Sequence, residues 1–286
     1  LRSYSNYLML GQRFRFHDFL RTGGGWRFGN DFVTQKLTTF EIDFDYTGST
    51  RDFYEPRTED RYLIEPANYG VKAGFQTNSN KTFSYGIEYE ISKYKNKQFD
   101  ENKSDKRFRV DTKYRLSNKV TISASSQSEN TVDDVGYLQR KNGEIHFGIR
   151  DVKSFENTID LTYNIDNYKY LSLRFRNFWS SANYDQVLYK LLDDGKRELT
   201  DYNLLTRDPN TNFNLWNLDL KFDWWFSPGS TITLQYKNQI FNRDNQSGLD
   251  YYKSLKDLFG MPIEHQLSLR INYLIDYNKL KRNDKS

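Results

Sequence analysis

The side chains best suited to chemistry in this sequence are carboxylates that recur at every second position. Glu41, Asp43 and Asp45 form one acidic row, and Glu88 with Glu90 form another. A row of carboxylates could bind a hard cation such as Ca²⁺. A carboxylate pair could instead catalyse glycoside hydrolysis, and the i, i+2 spacing on a strand gives a separation of about 7 Å.

Basic side chains recur with the same spacing elsewhere in the chain. They are Arg107, Arg109, Arg174, Arg176 and Arg270. Because opposite charges on one face of a fold neutralise each other, we predict that these arginines and the five carboxylates form a charge network across the interior of the fold. Cation binding by the acidic row is the alternative, and catalysis by Glu88 and Glu90 is disfavoured.

Residues for thiol chemistry, metal binding or phosphate binding are absent from the sequence or unsuitably spaced. The chain has no cysteine, and His17, His146 and His265 lie too far apart in sequence to suggest a metal site. Three glycines at 23–25 precede an aromatic segment, which favours a flexible loop over a phosphate-binding cradle. The 42 basic and 38 acidic residues are interleaved. We therefore predict no enzyme activity, no metal, no cofactor and no nucleic-acid partner.

The elements that position these charges alternate with a period of two. In the segment 39–47, Phe40, Ile42 and Phe44 share one face while Glu41 and Asp43 share the other. That period is typical of a β-strand with one apolar and one polar face. We expect about twelve strands in this chain, and 12–16 in the complete protein. Similar patterns occur at 4–16, 26–34, 69–75, 82–92, 107–115, 120–126, 145–165, 171–179, 218–226, 232–240 and 267–277.

Connection lengths alternate along the second half of the chain. Short turns are predicted at 78–81, 117–118, 166–167 and 228–229, and long charged connections at 94–106, 131–143, 188–211 and 243–263. Outer-membrane barrels have short periplasmic turns and long extracellular loops. This pattern also predicts a periplasmic C-terminus with a short tail at 279–282.

Composition supports a membrane barrel over a soluble sandwich. Mean hydropathy is low at -0.89, yet aromatic residues make up 17% of the chain and dominate the apolar faces. In a membrane barrel only alternate residues contact lipid, so both properties coexist. We predict an all-β fold: one transmembrane antiparallel β-barrel domain (1–286) in the outer membrane of a Gram-negative bacterium, in contact with its lipid. Because the sequence starts at Leu1 without Met, we expect upstream sequence to be missing.

One short motif, Tyr54, Glu55, Pro56 and Arg57, lies at a predicted transition from strand to extracellular loop. Proline would fix the loop, and Glu55 or Arg57 would hold it against a neighbouring strand. We therefore predict an extracellular loop latch. Docking of a partner or ligand is the alternative.

Several segments resemble a family of Bacteroidota outer-membrane proteins. They are NFN at 212–214, WWFSPGS at 224–230, QLSL at 266–269, LIDY at 274–277, YEPR at 54–57, GIRDV at 148–152 and LRFRNFW at 173–179. Members of that family join an N-terminal module similar to family-nine carbohydrate-binding domains to a large barrel of unassigned function. The resemblance implies that this chain is the barrel portion and that glycans are possible partners through the missing module. It supplies no catalytic motif.

Two functions are compatible with these observations. A barrel whose interior is filled by paired charges would serve as a non-enzymatic structural or assembly component of an envelope complex, with other envelope proteins as partners. A barrel of twelve or more strands is also wide enough for a channel. The alternative is therefore a transport barrel that passes small polar solutes such as oligosaccharides.

Overall fold

The structure is a computed structural model of the 286-residue chain, and it describes residues 1–95 and 102–275. Three predictions extend beyond these ranges. The tail at 279–282, the last two residues of the segment 267–277 and part of the connection 94–106 lie outside the described residues.

Long β-strands account for most of the described chain. They are β1 (Ser3–Phe14), β2 (Arg21–Val33), β3 (Thr39–Thr47), β4 (Thr50–Asp52), β5 (Leu63–Glu65), β6 (Ala67–Gln76), β7 (Phe83–Lys95), β8 (Ser104–Arg115), β9 (Val120–Lys141), β10 (Glu144–Asn164), β11 (Lys169–Leu191), β12 (Arg197–Thr200), β13 (Thr211–Ser227), β14 (Ser230–Asp244) and β15 (Ile263–Asn272). A 3₁₀-helix (Tyr202–Leu204) and one α-helix, α1 (Tyr251–Leu258), interrupt the loops.

Twelve strands form one continuous antiparallel sheet in the order β1-β2-β3-β6-β7-β8-β9-β10-β11-β13-β14-β15, and β12 pairs with β11. The register places apolar residues side by side, for example Phe40 opposite Phe75 and Leu173 opposite Leu220. Each strand therefore contributes to one apolar face and one polar face. The prediction of an all-β fold with about twelve antiparallel strands is confirmed.

The apolar face of this sheet is its exposed face. Phe40, Ile87 and Ile271 are 44%, 40% and 58% exposed, whereas Asp43 is only 2% exposed. This arrangement reverses that of a soluble β-sandwich, in which the apolar residues of each strand pack inward.

The predicted closure of the sheet into a barrel is not observed. In the described part of the chain, β1 pairs only with β2, and β15 pairs only with β14. Almost every residue of these two strands is exposed. The sheet remains open because no described segment supplies backbone partners to either edge.

Short and long connections fall at opposite ends of the sheet. The turns 34–38, 77–82, 116–119, 165–168 and 228–229 lie at the end that we call the base. The connections 48–66, 192–210 and 245–262 lie at the other end, which we call the rim. The predicted alternation of connection lengths agrees with this arrangement except at the rim turn 142–143, where a long loop was predicted.

Several segments predicted as loops contain strands, among them β12 within the predicted connection 188–211. Residues 131–141 of the predicted loop 131–143 belong to β9, which reverses into β10 through Asn142 and Gly143, both with positive φ. These strands extend beyond the others at the rim, where their polar residues were mistaken for a loop. Residues 23–25 lie within β2, where a Cβ at Gly25 would be 2.1 Å from the Tyr46 carbonyl oxygen. Glycine is therefore required there by close strand packing.

A separate hydrophobic core lies at the rim. Phe147 is fully buried and Leu63 of β5 is 1% exposed, and both belong to one cluster with residues of the extended strands. The other buried members are Val135, Ile145, Ile149, Tyr189 and Leu191. We call this cluster the rim core. It packs inward in the way expected of a water-soluble domain.

Helix α1 lies in the connection between β14 and β15. The Asp250 side chain caps its N-terminus by accepting a hydrogen bond from the Lys253 backbone N–H at 2.9 Å. No helix in residues 1–95 and 102–275 is long and apolar enough to cross a membrane.

Candidate functional site: the polar face and its rim

The polar face carries a ladder of ion pairs. Lys72 Nζ lies 2.9 Å from Glu41 Oε1 and 3.3 Å from Glu88 Oε2. Arg107 lies 3.0 Å from Glu90 and 2.7 Å from Glu129. Four of the residues predicted to form a charge network are therefore ion-paired here, and only the contact between Glu90 and Arg107 joins two of them.

Three more of the predicted arginines pair with carboxylates that the sequence analysis did not select. Arg109 lies 2.7 Å from Asp111, Arg174 lies 2.6 Å from Asp160, and Arg176 lies 3.5 Å from Glu156. Among the residues that the structure describes, Asp45 on β3 and Arg270 on β15 form no ion pair.

These ion pairs connect adjacent strands, or residues of one strand, rather than opposite walls. Side chains of paired strands have Cβ atoms about 5 Å apart, which is close enough for direct contact without crossing an interior. Arg107 and Glu129, for example, are directly opposite each other in the register of β8 and β9. The pairs therefore line the polar face and leave space above it.

Asp43 is the most buried carboxylate of the predicted acidic row. Tyr7 Oη donates a hydrogen bond of 3.2 Å to Asp43 Oδ2, while Oδ1 has no partner in the described structure. Glu41 of the same row is bound to Lys72. Within residues 1–95 and 102–275, no cluster of His, Asp and Glu is arranged to hold a metal ion.

Two cavities follow the polar face from base to rim. The cavity nearer the base has a volume of about 460 Å³ and includes Arg109, Asp111 and Asp160 in its lining. The cavity nearer the rim has a volume of about 480 Å³ and includes Glu90 and Arg107. Both are lined by paired charges, hydroxyl groups and amides. Such a surface offers hydrogen-bond donors and acceptors to a polar solute.

A half-buried charge cluster closes the rim side of the second cavity. Lys103 Nζ lies 2.9 Å from Asp134 and 3.2 Å from Glu65, and Arg150 lies 2.8 Å from Asp134. The Arg150 guanidinium also donates a hydrogen bond of 2.9 Å to Tyr184 Oη. We call these residues the rim charge cluster. Two cations face two carboxylates, so their charges balance.

The pKa values of the cluster follow from burial and mutual attraction. Burial opposes ionisation of Asp134, but Lys103 and Arg150 outweigh it and hold the pKa of that carboxyl below its usual range. Burial would lower the pKa of Lys103, yet Glu65 and Asp134 raise it well above its ordinary value. For Glu65, burial outweighs the attraction of Lys103 and raises its pKa. Asp134 is therefore the main anchor of both cations.

The predicted latch motif contacts the extended β9 strand. Glu55 Oε1 accepts a hydrogen bond of 2.8 Å from the Tyr137 backbone N–H, and the Arg57 guanidinium lies 4.6 Å from the centre of the Tyr137 ring. Pro56 is buried, whereas Tyr54 is 88% exposed. The motif therefore lies against β9 at the rim, and its role as a latch stays a prediction.

The whole connection 48–66, which we call the rim loop, joins distant parts of the sheet. Asp60 lies 2.7 Å from Arg15 in the connection between β1 and β2. Arg61 lies 2.7 Å from Asp193 beyond β11, and the Ile64 backbone N–H donates to the Gly195 carbonyl at 2.9 Å. The rim loop therefore spans from the first hairpin to the β11–β12 hairpin.

The three histidines occupy unrelated environments. His17 is exposed in the connection between β1 and β2. His265 Nδ1 lies 2.8 Å from Tyr236 Oη on the apolar face. His146 is only 1% exposed, and neither ring nitrogen has a hydrogen-bond partner within the described structure.

Sequence reasoning missed Lys72, Lys103, Asp134 and Arg150. Lys72 is a single charge in the weakly alternating segment 69–75, and Asp134 lies in the segment predicted as a loop. Arg150 belongs to GIRDV at 148–152, a segment that the sequence analysis used only for the family resemblance.

Comparisons with known proteins give a family and similar solved structures. The chain is similar in structure to the Pseudomonas putida toluene transporter TodX, with 7% sequence identity, coverage of 84% of each chain and a TM-score of 0.28. None of the curated proteins compared with the chain matches it. A family model described as "Domain of unknown function (DUF5916)" matches residues 1–284, and the chain therefore belongs to this family.

Proposed function

We propose that the chain forms a β-barrel in the outer membrane of a Gram-negative bacterium and passes small polar solutes along its polar face. The observation that carries this proposal is the exposed apolar face, which extends from β1 to β15. A monomeric soluble protein rarely exposes contiguous apolar patches beyond a few hundred Å². Lipid is the environment in which such a face is stable.

Strand dimensions support a membrane wall. β3 has 9 residues, β6 has 10 and β8 has 12, while a tilted strand needs about 9–11 residues to cross the hydrocarbon. Aromatic side chains flank this band: Trp224 lies at the base, and Trp26 and Tyr46 lie toward the rim. Tyr and Trp favour the membrane–water interface.

The open edges require partners in a membrane because unpaired backbone groups are not tolerated in hydrocarbon. β1 and β15 run in opposite directions, since successive strands along the order of twelve are antiparallel. They would therefore form an antiparallel pair on closure. Additional strands inserted between them are the other way to close the wall.

Closure is testable because the chain has no cysteine. A cysteine at Leu8 on β1 would be combined with single cysteines at Leu267, Leu269 and Ile271 on β15. Oxidation in the membrane-inserted full-length protein should cross-link one of these pairs if β1 and β15 meet. Cross-linking of none would favour intervening strands.

The lining of the two cavities favours uncharged, hydroxyl-rich solutes. Because most of its charges are paired, the face exerts little net attraction on free ions, but it retains many hydrogen-bond groups. Oligosaccharides fit this chemistry. An upstream glycan-binding module, as in the Bacteroidota family that the sequence resembles, would concentrate the same class of solute.

A structural or assembly role in an envelope complex is the second candidate. The rim core and the rim loop favour it, because a rim held by a packed core and ion pairs restricts passage. In that case other envelope proteins would dock on the rim or along the open edges.

Single-channel conductance in planar bilayers separates the two functions. The rim loop should restrict current in the wild-type protein, and Leu63→Ala should release the loop by removing a buried side chain worth about 2–5 kcal/mol. Ile64→Ala, at the half-buried neighbouring position, is the control. Larger conductance steps in Leu63→Ala alone would support transport. Silence in the wild type and in both variants would overturn the transport proposal and favour the structural role.

A further inference from the structure

Helix α1 lies against the apolar face of the sheet. The Phe259 ring that follows the helix lies 5.0 Å from Trp216 of β13, and Tyr251 lies 5.0 Å from Phe155 of β10, between ring centres. Leu258 is fully buried. The helix is thus a local addition to the face that we assign to lipid.

Polar side chains beneath α1 satisfy one another. Tyr251 Oη donates to Asn177 Oδ1 at 2.8 Å and accepts from Asn157 Nδ2 at 3.2 Å. Asn214 Nδ2 donates to Ser254 Oγ at 3.1 Å. Amides on an apolar face would be costly in hydrocarbon. The helix covers them and supplies their partners.

Beside α1 the apolar face contains a cavity of about 490 Å³. Val110, Ile159 and Phe175 form part of its sheet side, and Leu255 with Tyr252 form the helix side. None of its lining residues is charged. Both cavities on the polar face are lined by charged side chains. We call this cavity the wall groove.

The floor of the wall groove is made of small residues. On the apolar face, Ser126 of β9 lies opposite Val110 of β8, and Ala124 of β9 lies opposite Ile159 of β10. Ser126 Oγ donates to Asn157 Oδ1 at 2.8 Å, so its hydroxyl is already used. An occupant of the groove therefore needs apolar surface more than hydrogen bonds.

The size and surroundings of the groove favour a slender apolar chain over a protein element. Its volume of about 490 Å³ is small for an α-helix about 10 Å wide. A strand would need a free sheet edge, but β8, β9, β10 and β11 are each paired on both sides. A slender apolar chain remains.

We propose that the wall groove binds an acyl chain of an anionic membrane lipid. This inference rests on the proposed function, because it requires the apolar face to contact lipid. The helix also offers a contact for the head group. Lys256 lies one turn after Tyr252 on the same side of α1, is exposed, and forms no ion pair with any described residue. Lysines on interfacial helices bind anionic head groups in this way.

The test uses full-length protein inserted into vesicles that contain phosphatidylglycerol and phosphatidylcholine. After extraction into mild detergent, native mass spectrometry counts the retained lipid. Wild-type protein should retain one phosphatidylglycerol. Ala124→Phe should reduce retention about tenfold because the ring fills the groove. Lys256→Gln should keep a lipid but lose the preference for phosphatidylglycerol.

Ala73→Phe is the matched control, since Ala73 is exposed on the apolar face of β6, away from the groove. It should retain lipid like the wild type. Equal retention by Ala124→Phe and wild type would overturn the inference. Flotation of the vesicles tests the proposed function separately. Protein that does not float with them would refute membrane insertion and the lipid site together, whereas flotation with unchanged retention would refute the lipid site alone.

Discussion

The rim core and the sheet wall below it show opposite arrangements of apolar side chains within one sheet. In the rim core, Phe147 is fully buried and Ile149 is 4% exposed. In the wall, Ile87 is 40% exposed and Phe108 is 45% exposed. Antiparallel pairing and strand direction are the same in both regions. The difference lies in the surroundings for which each region is built: water above and, in our proposal, lipid below.

A single strand shows the transition. β10 carries Phe147 in the rim core and Ile159, 45% exposed, in the wall. Register irregularities interrupt its pairing with β9 between His146 and Phe147 and between Arg150 and Val152. Bulges of this kind re-aim side chains. They allow the same strand to serve both regions.

Charges differ between the regions in the same way. The side chains of Arg174 and Asp160 in the wall are 58% and 37% exposed. Those of Lys103 and Asp134 at the rim are 11% and 17% exposed. Exposed pairs contribute about 0–1 kcal/mol, whereas breaking a buried pair costs about 3–5 kcal/mol. The rim charge cluster therefore matters more for stability than the wall pairs.

The largest expected difference comes from truncating one aromatic ring in each region. Phe147→Ala should destabilise the rim by about 3–5 kcal/mol, because protein cannot fill the cavity. Phe108→Ala in the wall should cost far less, since lipid chains are as apolar as the lost ring and refill the space. Amide hydrogen exchange of β9 and β10 in reconstituted protein measures both. Equal costs would contradict the distinction between the regions.

Introducing a charge on the wall should have the next largest effect. Ile87→Arg places a guanidinium near the middle of the apolar band and should cost about 2–4 kcal/mol in a bilayer. Ser125→Arg on the polar face of β9 is the control and should be tolerated beside Asp111. Urea unfolding in vesicles compares the two. A tolerated Ile87→Arg would indicate that this face is not in lipid.

Removing the anchor of the rim charge cluster should destabilise the rim by about 3 kcal/mol. Asp134→Asn leaves Lys103 paired with Glu65, and Arg150 hydrogen-bonded to Tyr184. Hydrogen exchange at Tyr137, which is held by Glu55, measures the opening of the rim. Asp160→Asn in the wall is the control and should change stability by no more than about 1 kcal/mol.

The pH dependence of the same cluster follows from its pKa values. The pKa of Asp134 is lowered on folding, so its contribution is present above its ordinary value of 3.8 and is lost as pH falls through the folded value. The pKa of Glu65 is raised by burial, so its protonation on mild acidification favours the folded rim. The wild-type rim should therefore remain closed near pH 5 and open below about pH 4. Opening that begins near pH 6 would refute this assignment.

His146 should give the smallest effect. Burial lowers its pKa, Glu144 opposes this shift, and Lys190 with Lys141 reinforces it. The folded rim therefore disfavours protonation of His146. As a result, His146 reduces the stability of the rim as pH falls below its ordinary pKa of 6.5. His146→Leu should remove this dependence and be neutral or up to about 1 kcal/mol stabilising. Exposed His17→Leu should leave the pH profile unchanged.

The sequence was sufficient to predict the wall but not the rim. Alternation is a local property of a strand, as in the segment where Phe40, Ile42 and Phe44 alternate with Glu41 and Asp43. The structure has a strand there. The rim depends on contacts between residues far apart in sequence. Leu63 packs with residues more than 70 positions away in the chain, and no local pattern reveals such a contact.

The candidate site was predicted in part for the same reason. The alternation predicted which charged residues share the polar face. Which of them form ion pairs depends on the register between neighbouring strands. Glu41 and Glu88 both contact Lys72 on β6, the strand between their own. Closure of the sheet was predicted because the alternation and the connection lengths are typical of outer-membrane barrels. It is not present in the described residues.

The central claim, that the apolar face contacts lipid and the polar face contacts water, is tested most directly by spin labels along one strand. Single cysteines at positions 85–91 of β7 can be labelled cleanly because the chain has no native cysteine. In reconstituted protein, collision with oxygen should peak at Tyr85, Ile87, Tyr89 and Ile91. Collision with a water-soluble nickel complex should peak at Gly86, Glu88 and Glu90. The reverse pattern, or loss of the period of two, would contradict the membrane-wall account.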